Sequence, residues 1–234
     1  MSSTTHRRKA LLTSLFLSLL ALASLLPASS VAAHGFIDER VDYNRGNSGS
    51  TASKSSLWQS FTPSKDNLAG VTLQILSFGR NCTGFAQGNV IIREGEGKAG
   101  TEIGRTPIID FPRKTGAKLT HFDFDPPVSL QPGSKYTIQV TYQGSTCPLT
   151  WSARTDNPYK EGASGVYWMT PTWDFIFRTH YLPPLCQPGT YGVNGAEPCT
   201  PAEAGSYVAD EGATESTPCQ AGTYQPSAGA ISCI

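Results

Sequence analysis

The chain reads as an all-β protein, an antiparallel β-sandwich followed by a small disulfide-rich repeat tail. Three observations predict this. Short runs in which apolar and polar residues alternate recur at spacings of about ten to fifteen residues, each closed by Gly, Pro, Asn or Asp. No stretch of the 234 residues after the first 33 carries the period of an amphipathic helix. Past Pro183-Pro184 the large aliphatic residues give way to Gly, Ala, Pro, Thr and Ser, with cysteines at regular intervals.

Residues 1–33 stand apart from the fold. Arg7, Arg8 and Lys9 precede a Leu- and Ala-rich run from Ala10 to Leu26, and Val31-Ala32-Ala33 supplies small residues for cleavage. This is the pattern of a signal peptide. The run is short for a bilayer span and holds Thr13, Ser14, Ser18 and Ser24, so no membrane span is expected after cleavage. The expected location is extracellular or cell-surface. The remaining chain carries fifteen Lys and Arg against eighteen Asp and Glu, a balance of −3 without a basic cluster. That composition argues against nucleic acid as a partner.

The elements follow in order. His34 to Tyr43 reads as an edge strand, and Asn44 to Lys54 as a polar loop rich in Ser and Gly. Leu57 to Phe61 opens a strand, Pro63-Ser64 turns the chain, and Val71, Leu73 and Ile75 then alternate with Thr72, Gln74 and Leu76. Asn89 to Glu94 is a strand ended by Gly95, Gly97 and Gly100, and the REGEGKAG run is a hairpin turn. Thr101 to Phe111 is a further strand, and Leu119 to Phe124 is one that Pro126 and Pro127 stop. After the turn Leu130-Gln131-Pro132-Gly133, the residues Tyr136, Ile138, Val140 and Tyr142 share one face. Leu149 to Arg154, Gly165 to Met169 and Thr172 to Tyr181 complete the sheets, with Phe175 and Phe177 facing in. The organisation is thus leader 1–33, sandwich 34–182 and tail 183–234.

The order of four fragments, Trp58-Gln59-Ser60-Phe61-Thr62-Pro63-Ser64, Leu68-Ala69-Gly70-Val71, Leu130-Gln131-Pro132-Gly133 and Trp173-Asp174-Phe175-Ile176-Phe177-Arg178-Thr179, resembles the jelly-roll modules of bacterial extracellular proteins, which are similar to carbohydrate-binding modules. The resemblance covers about residues 40 to 181. It implies a jelly-roll sandwich and an extracellular address.

The tail repeats Pro188-Gly189-Thr190-Tyr191, Ala204-Gly205-Ser206-Tyr207 and Ala221-Gly222-Thr223-Tyr224 at a period of 16 to 17 residues, each followed by a Gly-containing loop. A unit this short builds no core of its own. It resembles the ephrin-receptor-like cysteine-rich repeats, except that Ala202 and Ser216 sit where two cysteines are usual. The resemblance implies that the middle unit lacks a bridge, and that such arrays continue past Cys233-Ile234. All six cysteines follow the leader, as suits an oxidising compartment. Sequence proximity and the repeat suggest Cys82 with Cys147, Cys186 with Cys199 and Cys219 with Cys233, one of fifteen connectivities.

No GxSxG, phosphate loop or dinucleotide fingerprint is present, so no catalytic residue is assigned. A glycan site is expected from exposed aromatics, because sugar rings stack on Trp and Tyr while polar groups bind the hydroxyls. The candidates are Trp151, Tyr159, Tyr167 and Trp168, with Arg154, Asp156 and Asn157 between them. The competing reading places Trp58, Trp151 and Trp173 in the core. A histidine at a new N-terminus can chelate copper through amine and imidazole, as in the copper polysaccharide monooxygenases. A copper brace would need His34 with His121 or His180. No cofactor is required, although Asp123, Asp125 and Asp174 could hold a structural calcium. Asn81-Cys82-Thr83 is a glycosylation sequon in a host that uses it. The expectation is a non-catalytic module that binds an extracellular glycan or a surface protein, with a structural matrix or envelope component as the alternative.

Overall fold

A computed structural model describes residues 35–42, 48–53, 56–77, 84–111, 119–143, 147–165 and 173–234. Those residues are all β, antiparallel throughout, and carry no helix. In chain order the sandwich strands are β1 (Phe36–Val41), β2 (Ser48–Ser53), β3 (Leu57–Phe61), β4 (Asn67–Leu73), β5 (Ile75–Ser77), β6 (Gln87–Gly88), β7 (Val90–Glu94) and β8 (Glu102–Arg105). Then come β9 (Ile109–Asp110), β10 (Thr120–Ser129), β11 (Tyr136–Val140), β12 (Leu149–Arg154), β13 (Ser164–Gly165), β14 (Asp174–Phe175) and β15 (Phe177–Tyr181).

Two sheets face each other. One has the order β1-β15-β4-β10, the other β13-β3-β11-β7-β8. Alternation decides which side chains meet between them. Leu57 and Phe61, Val71 and Leu73, Val90 and Ile92, and Ile138 and Val140 are all fully buried. Phe61 of β3 meets Phe177 of β15 across the gap, with ring centroids 6.5 Å apart. The regular period-two runs therefore supply the apolar filling that the sequence predicts.

Strands β4 and β15 pair as far as Leu73 and Phe177, then part at Gln74 and Ile176. Strand β12 closes the opening. It pairs with β5 through Leu149–Trp151 and with β14 through Ala153–Arg154, while β2 covers its other edge. At the junction Gln74 N donates to Ile176 O, Ser152 N to Gln74 O, and Ile176 N to Ser152 O. A main-chain triangle of this kind leaves none of these buried groups unpaired.

Several elements differ from the sequence reading, among them Thr172–Tyr181, which is two strands, β14 and β15, in different sheets. Part of the expected polar loop, Ser48–Ser53, is a strand, because pairing to β12 uses only backbone groups and needs no apolar pattern. Strand β10 does not stop at Pro126 and Pro127. It runs on to Ser129, and its register against β4 shifts between Asp123 and Val128, so the two prolines fall where no ladder N–H is required at a sheet edge. The strand expected from Thr101 to Phe111 is two pieces, β8 and β9, broken around Pro107. The Gly95–Gly100 segment is the expected turn, joining the antiparallel pair β7 and β8.

The tail adds β16 (Thr190–Tyr191), β17 (Thr200–Pro201), β18 (Ser206–Tyr207) and β19 (Thr217–Pro218) as two small ribbons. Cys186–Cys199 and Cys219–Cys233 are bridged, and Ala202 of the middle unit is fully buried. Cys147 is buried and disulfide-bonded, whereas Cys82, with Asn81, lies outside the described residues. The chain entering the tail is held to β4 by Asn67, whose side chain donates to Leu182 O and accepts from Leu182 N, each at 2.9 Å. Among the described residues no helix is long and apolar enough to cross a membrane.

Candidate functional site

On the face of the five-stranded sheet turned away from the facing sheet, Ser60, Thr137, Ile91 and Gln139 are buried, while Trp58, Arg93 and Glu102 are half-buried and Arg105 is exposed. Cross-strand partners share a face, so the row Gly165–Trp58–Gln139–Ile91–Arg105 lies on one side of the sheet. The next row on that side is Ser60–Thr137–Arg93–Glu102. Leu57, Gln59 and Phe61 point inward, and alternation along β3 then sets Trp58 outward.

Trp58 is half-buried, and its indole lies across the backbone of Gly165, occupying the space a side chain there would need. Gly97, with φ +85°, borders the same ring: a Cβ there would approach it at 3.9 Å. Two glycines thus let a flat aromatic lie along the sheet, one side resting on β13. The polar groups beside it are fixed. Arg93 Nε donates to Gln139 Oε1 at 2.6 Å, and its Nη1 donates to Gly100 O at 3.0 Å. Glu102 takes both Arg105 Nε and Nη2, and Arg93 Nη2 lies 3.6 Å from it. The hydrogen bond from Arg105, with the two guanidinium charges, holds the Glu102 carboxyl below the usual carboxylate range against a weaker opposing effect of burial. An anchored flat ring beside immobilised donors and acceptors can stack an apolar ring face and bind hydroxyls around it.

The two described members of the aromatic set named from the sequence, Trp151 and Tyr159, both pack against core aromatics. Trp151 is fully buried, stacked on Phe175 with centroids 4.4 Å apart, and its Nε1 donates to Ile176 O at 2.9 Å. It belongs to the core, because β12 turns Leu149, Trp151 and Ala153 inward. Tyr159 packs edge-on against Phe177, and its hydroxyl accepts from Thr62 N at 2.9 Å. Burial pushes that hydroxyl's pKa up. Arg154 and Asp156 pair with each other, and Asn157 holds a left-handed turn at φ 45°. Tyr167 and Trp168 lie outside the described residues; Gly165, two positions before Tyr167, is the residue that carries Trp58. Trp173 packs against the core. Sequence reasoning missed Trp58, Arg93, Gln139 and Glu102 as a group. The signal was present in the parity of β3.

On the outer face of the other sheet, Thr72 Oγ1 lies 2.8 Å from His121 Nδ1 and 2.7 Å from His180 Nε2. The two rings meet at 4.7 Å, and His121 Nε2 reaches Asp123 at 2.9 Å. Gly70 makes room for them, since a Cβ there would lie 2.8 Å from both His121 Nε2 and Phe122 O. Two of the three copper candidates therefore adjoin, each turned toward the Thr72 hydroxyl, and His34 lies outside the described residues. The aspartates considered for calcium do not converge. Asp174 is fully buried, accepting from Tyr159 N at 2.8 Å and from Gln59 Nε2 at 3.3 Å. Among the described residues no group of three His, Cys, Asp or Glu is arranged to hold a metal ion.

No protein-family model matches the chain, and no curated protein matches it. The functional reading rests on this geometry.

Proposed function

We propose that the protein is a secreted or cell-surface, non-catalytic module that binds extracellular glycan on the outer face of its five-stranded sheet. The observation that carries this is the Trp58 indole laid along Gly165 beside the locked Arg93–Gln139–Glu102–Arg105 network. A pyranose ring stacks on such a surface through its axial C–H groups, while the guanidinium and carboxylate groups of Arg93, Arg105 and Glu102 bind its hydroxyls. Fixed side chains lose little rotamer freedom on binding, which suits weak, repeated contacts with a polymer. The leader, the disulfide-bonded tail and the resemblance to jelly-roll modules support the extracellular setting. Polysaccharide pull-down and a glycan array test it. Wild type should bind and Trp58→Ala should not, while Lys65→Ala, on a different part of the surface, binds normally. Silence of the wild type at high protein concentration overturns the reading.

A second reading, copper binding, draws on the approach of His121 and His180. It requires both imidazoles to exchange the Thr72 hydroxyl for the metal. Copper titration of the mature protein decides it: a site tighter than micromolar that His180→Ala removes would support it, and no such site ends it.

A further inference from the structure

Where the edge strands of the two sheets come together, a cleft of about 500 Å³ lies between β8 and β10. Its origin is the register of β10. Asp123 stands opposite Gly70 of β4 and Val128 opposite Leu68, so Phe124 to Pro127 face Ala69 alone and the surplus chain bows out. Pro126 and Pro127 carry no N–H, so neither leaves a ladder donor open. Gly104 of β8 lets the two edges meet, since a Cβ there would lie 2.3 Å from Val128 Cγ2. Phe124 and Val128, both buried, form the floor, and Pro126 and Pro127 form an exposed apolar wall.

The rim is polar. Arg105, Asp125 and Ser129 stand there, all exposed. Arg105 gives Nε and Nη2 to Glu102 and keeps Nη1 uncommitted. The Asp125 carboxylate and the Ser129 hydroxyl make no hydrogen bond to the described residues. An apolar floor and wall with a few open polar groups at the rim is the make-up of a small-ligand site. A partner's strand laid along the wall finds no N–H at Pro126 or Pro127 to pair with, so side chains hold the occupant.

We propose that this cleft is a second subsite for the glycan bound at Trp58, and that the ligand is an uncharged polysaccharide engaged over several sugars. The inference rests on the glycan reading above. Arg105 links the two places, because it ends the outward row that begins Gly165–Trp58 and also borders the cleft. The cleft lies past β8, at least three strand spacings, about 14 Å, from β3. A single sugar stacked on Trp58 therefore leaves it empty, and only a chain of several sugars fills both. Charge sets the class. The guanidiniums of Arg93 and Arg105 are matched by the carboxylates of Glu102 and Asp125, which leaves no excess positive charge for a uronate or a sulfate. In the cleft Asp125 accepts from sugar hydroxyls, Ser129 and Arg105 Nη1 donate, and the proline wall meets the C–H face of the ring.

Isothermal titration calorimetry of the oxidised mature chain tests it. The probes are cello-, xylo-, manno- and laminari-oligosaccharides from disaccharide to hexasaccharide, with oligogalacturonides as the acidic comparison. In at least one neutral series affinity should rise about tenfold between the shortest oligosaccharide that binds and the longest, the worth of one or two net hydrogen bonds. It should stay level between low and high salt. Asp125→Ala/Ser129→Ala should remove that rise and leave the shortest oligosaccharide bound as in wild type, whereas Trp58→Ala removes binding at every length. Ser129→Arg, which lays a long side chain over the cleft, should act as the double variant does, and decides alone if the double variant's urea midpoint falls. An affinity that does not change with length, a rise that survives Ser129→Arg, or a preference for the acidic series that salt abolishes overturns the proposal and leaves the Trp58 reading standing. Binding by no series overturns it as well, and the glycan array then judges the Trp58 reading separately.

Discussion

Trp151 is where the core and the surface readings of this protein make opposite demands. Its ring has no exposed area, lies nearly parallel to Phe175 at 14°, and is pinned through Nε1 to Ile176 O, at the junction where β4 and β15 part. Truncation to Ala removes the stack and opens a cavity beneath β12. Substitutions of this kind cost about 3 to 5 kcal/mol. The cost should sit inside that range rather than above it, because Ile176 O keeps a second donor, Gln74 N at 3.3 Å, and is not orphaned. Trp151→Phe keeps most of the stack and loses one hydrogen bond, worth about 1 kcal/mol, plus a smaller packing loss. Urea unfolding followed by far-ultraviolet circular dichroism reads both values. Polysaccharide pull-down well below the transition reads function on the folded fraction. The expected pattern is a large fall in midpoint for Trp151→Ala with binding retained. Trp58→Ala should do the reverse, losing binding for about 1 to 2 kcal/mol of stability, since only part of its area is buried. A Trp151→Ala protein with an unchanged midpoint and lost binding would refute the argument.

Three further outcomes follow from the geometry. Ala202→Cys/Ser216→Cys restores a bridge at the positions matching Cys186–Cys199 and Cys219–Cys233, whose Cα separations are 5.6 and 5.8 Å; it should form spontaneously, raise the tail's resistance to proteolysis, and add about 3 kcal/mol on the chain-entropy model. Burial holds the Asp174 carboxyl above its usual 3.8, against the hydrogen bonds from Tyr159 N and Gln59. The folded chain then binds that proton more tightly than the unfolded chain, so stability falls as pH rises from about 3.8 through the folded value, with Glu39, also raised by burial, contributing in the same sense. Denaturant midpoints across that window should show the decline, and Asp174→Asn should flatten it; an unchanged slope in the variant refutes the assignment. Gly70→Ala places a methyl 2.8 Å from the Phe122 carbonyl and from His121, and should cost about 1 to 3 kcal/mol and displace the His121 ring, visible as shifted imidazole resonances.

Much of the sandwich was legible because one physical rule governs it. Val71, Leu73 and Ile75, and Tyr136, Ile138 and Val140, alternate with polar partners, and a buried face tolerates no slip of register. What the rule missed are stretches held by backbone alone. Ser48–Ser53 has no apolar side of its own and became a strand only because β12 offered a free edge. Pro126 and Pro127 read as a stop because a ladder interior cannot use them; an edge with a register shift can. Neither the edge nor the free partner is written in the local sequence.

The candidate site is hard to read from the sequence for a different reason. The sequence offers Trp58 to the core on hydrophobicity and Trp151 to either a sugar or the core, and period two sends Trp58 outward and Trp151 inward. Leu57, Gln59 and Phe61 claim the inner side of β3, which leaves Trp58 outside, and Leu149 and Ala153 draw Trp151 in with them. An aromatic sent outward by parity must rest on something, and the sequence does not say what. The answer is Gly165, more than a hundred positions away, whose missing side chain becomes meaningful only once β13 pairs with β3.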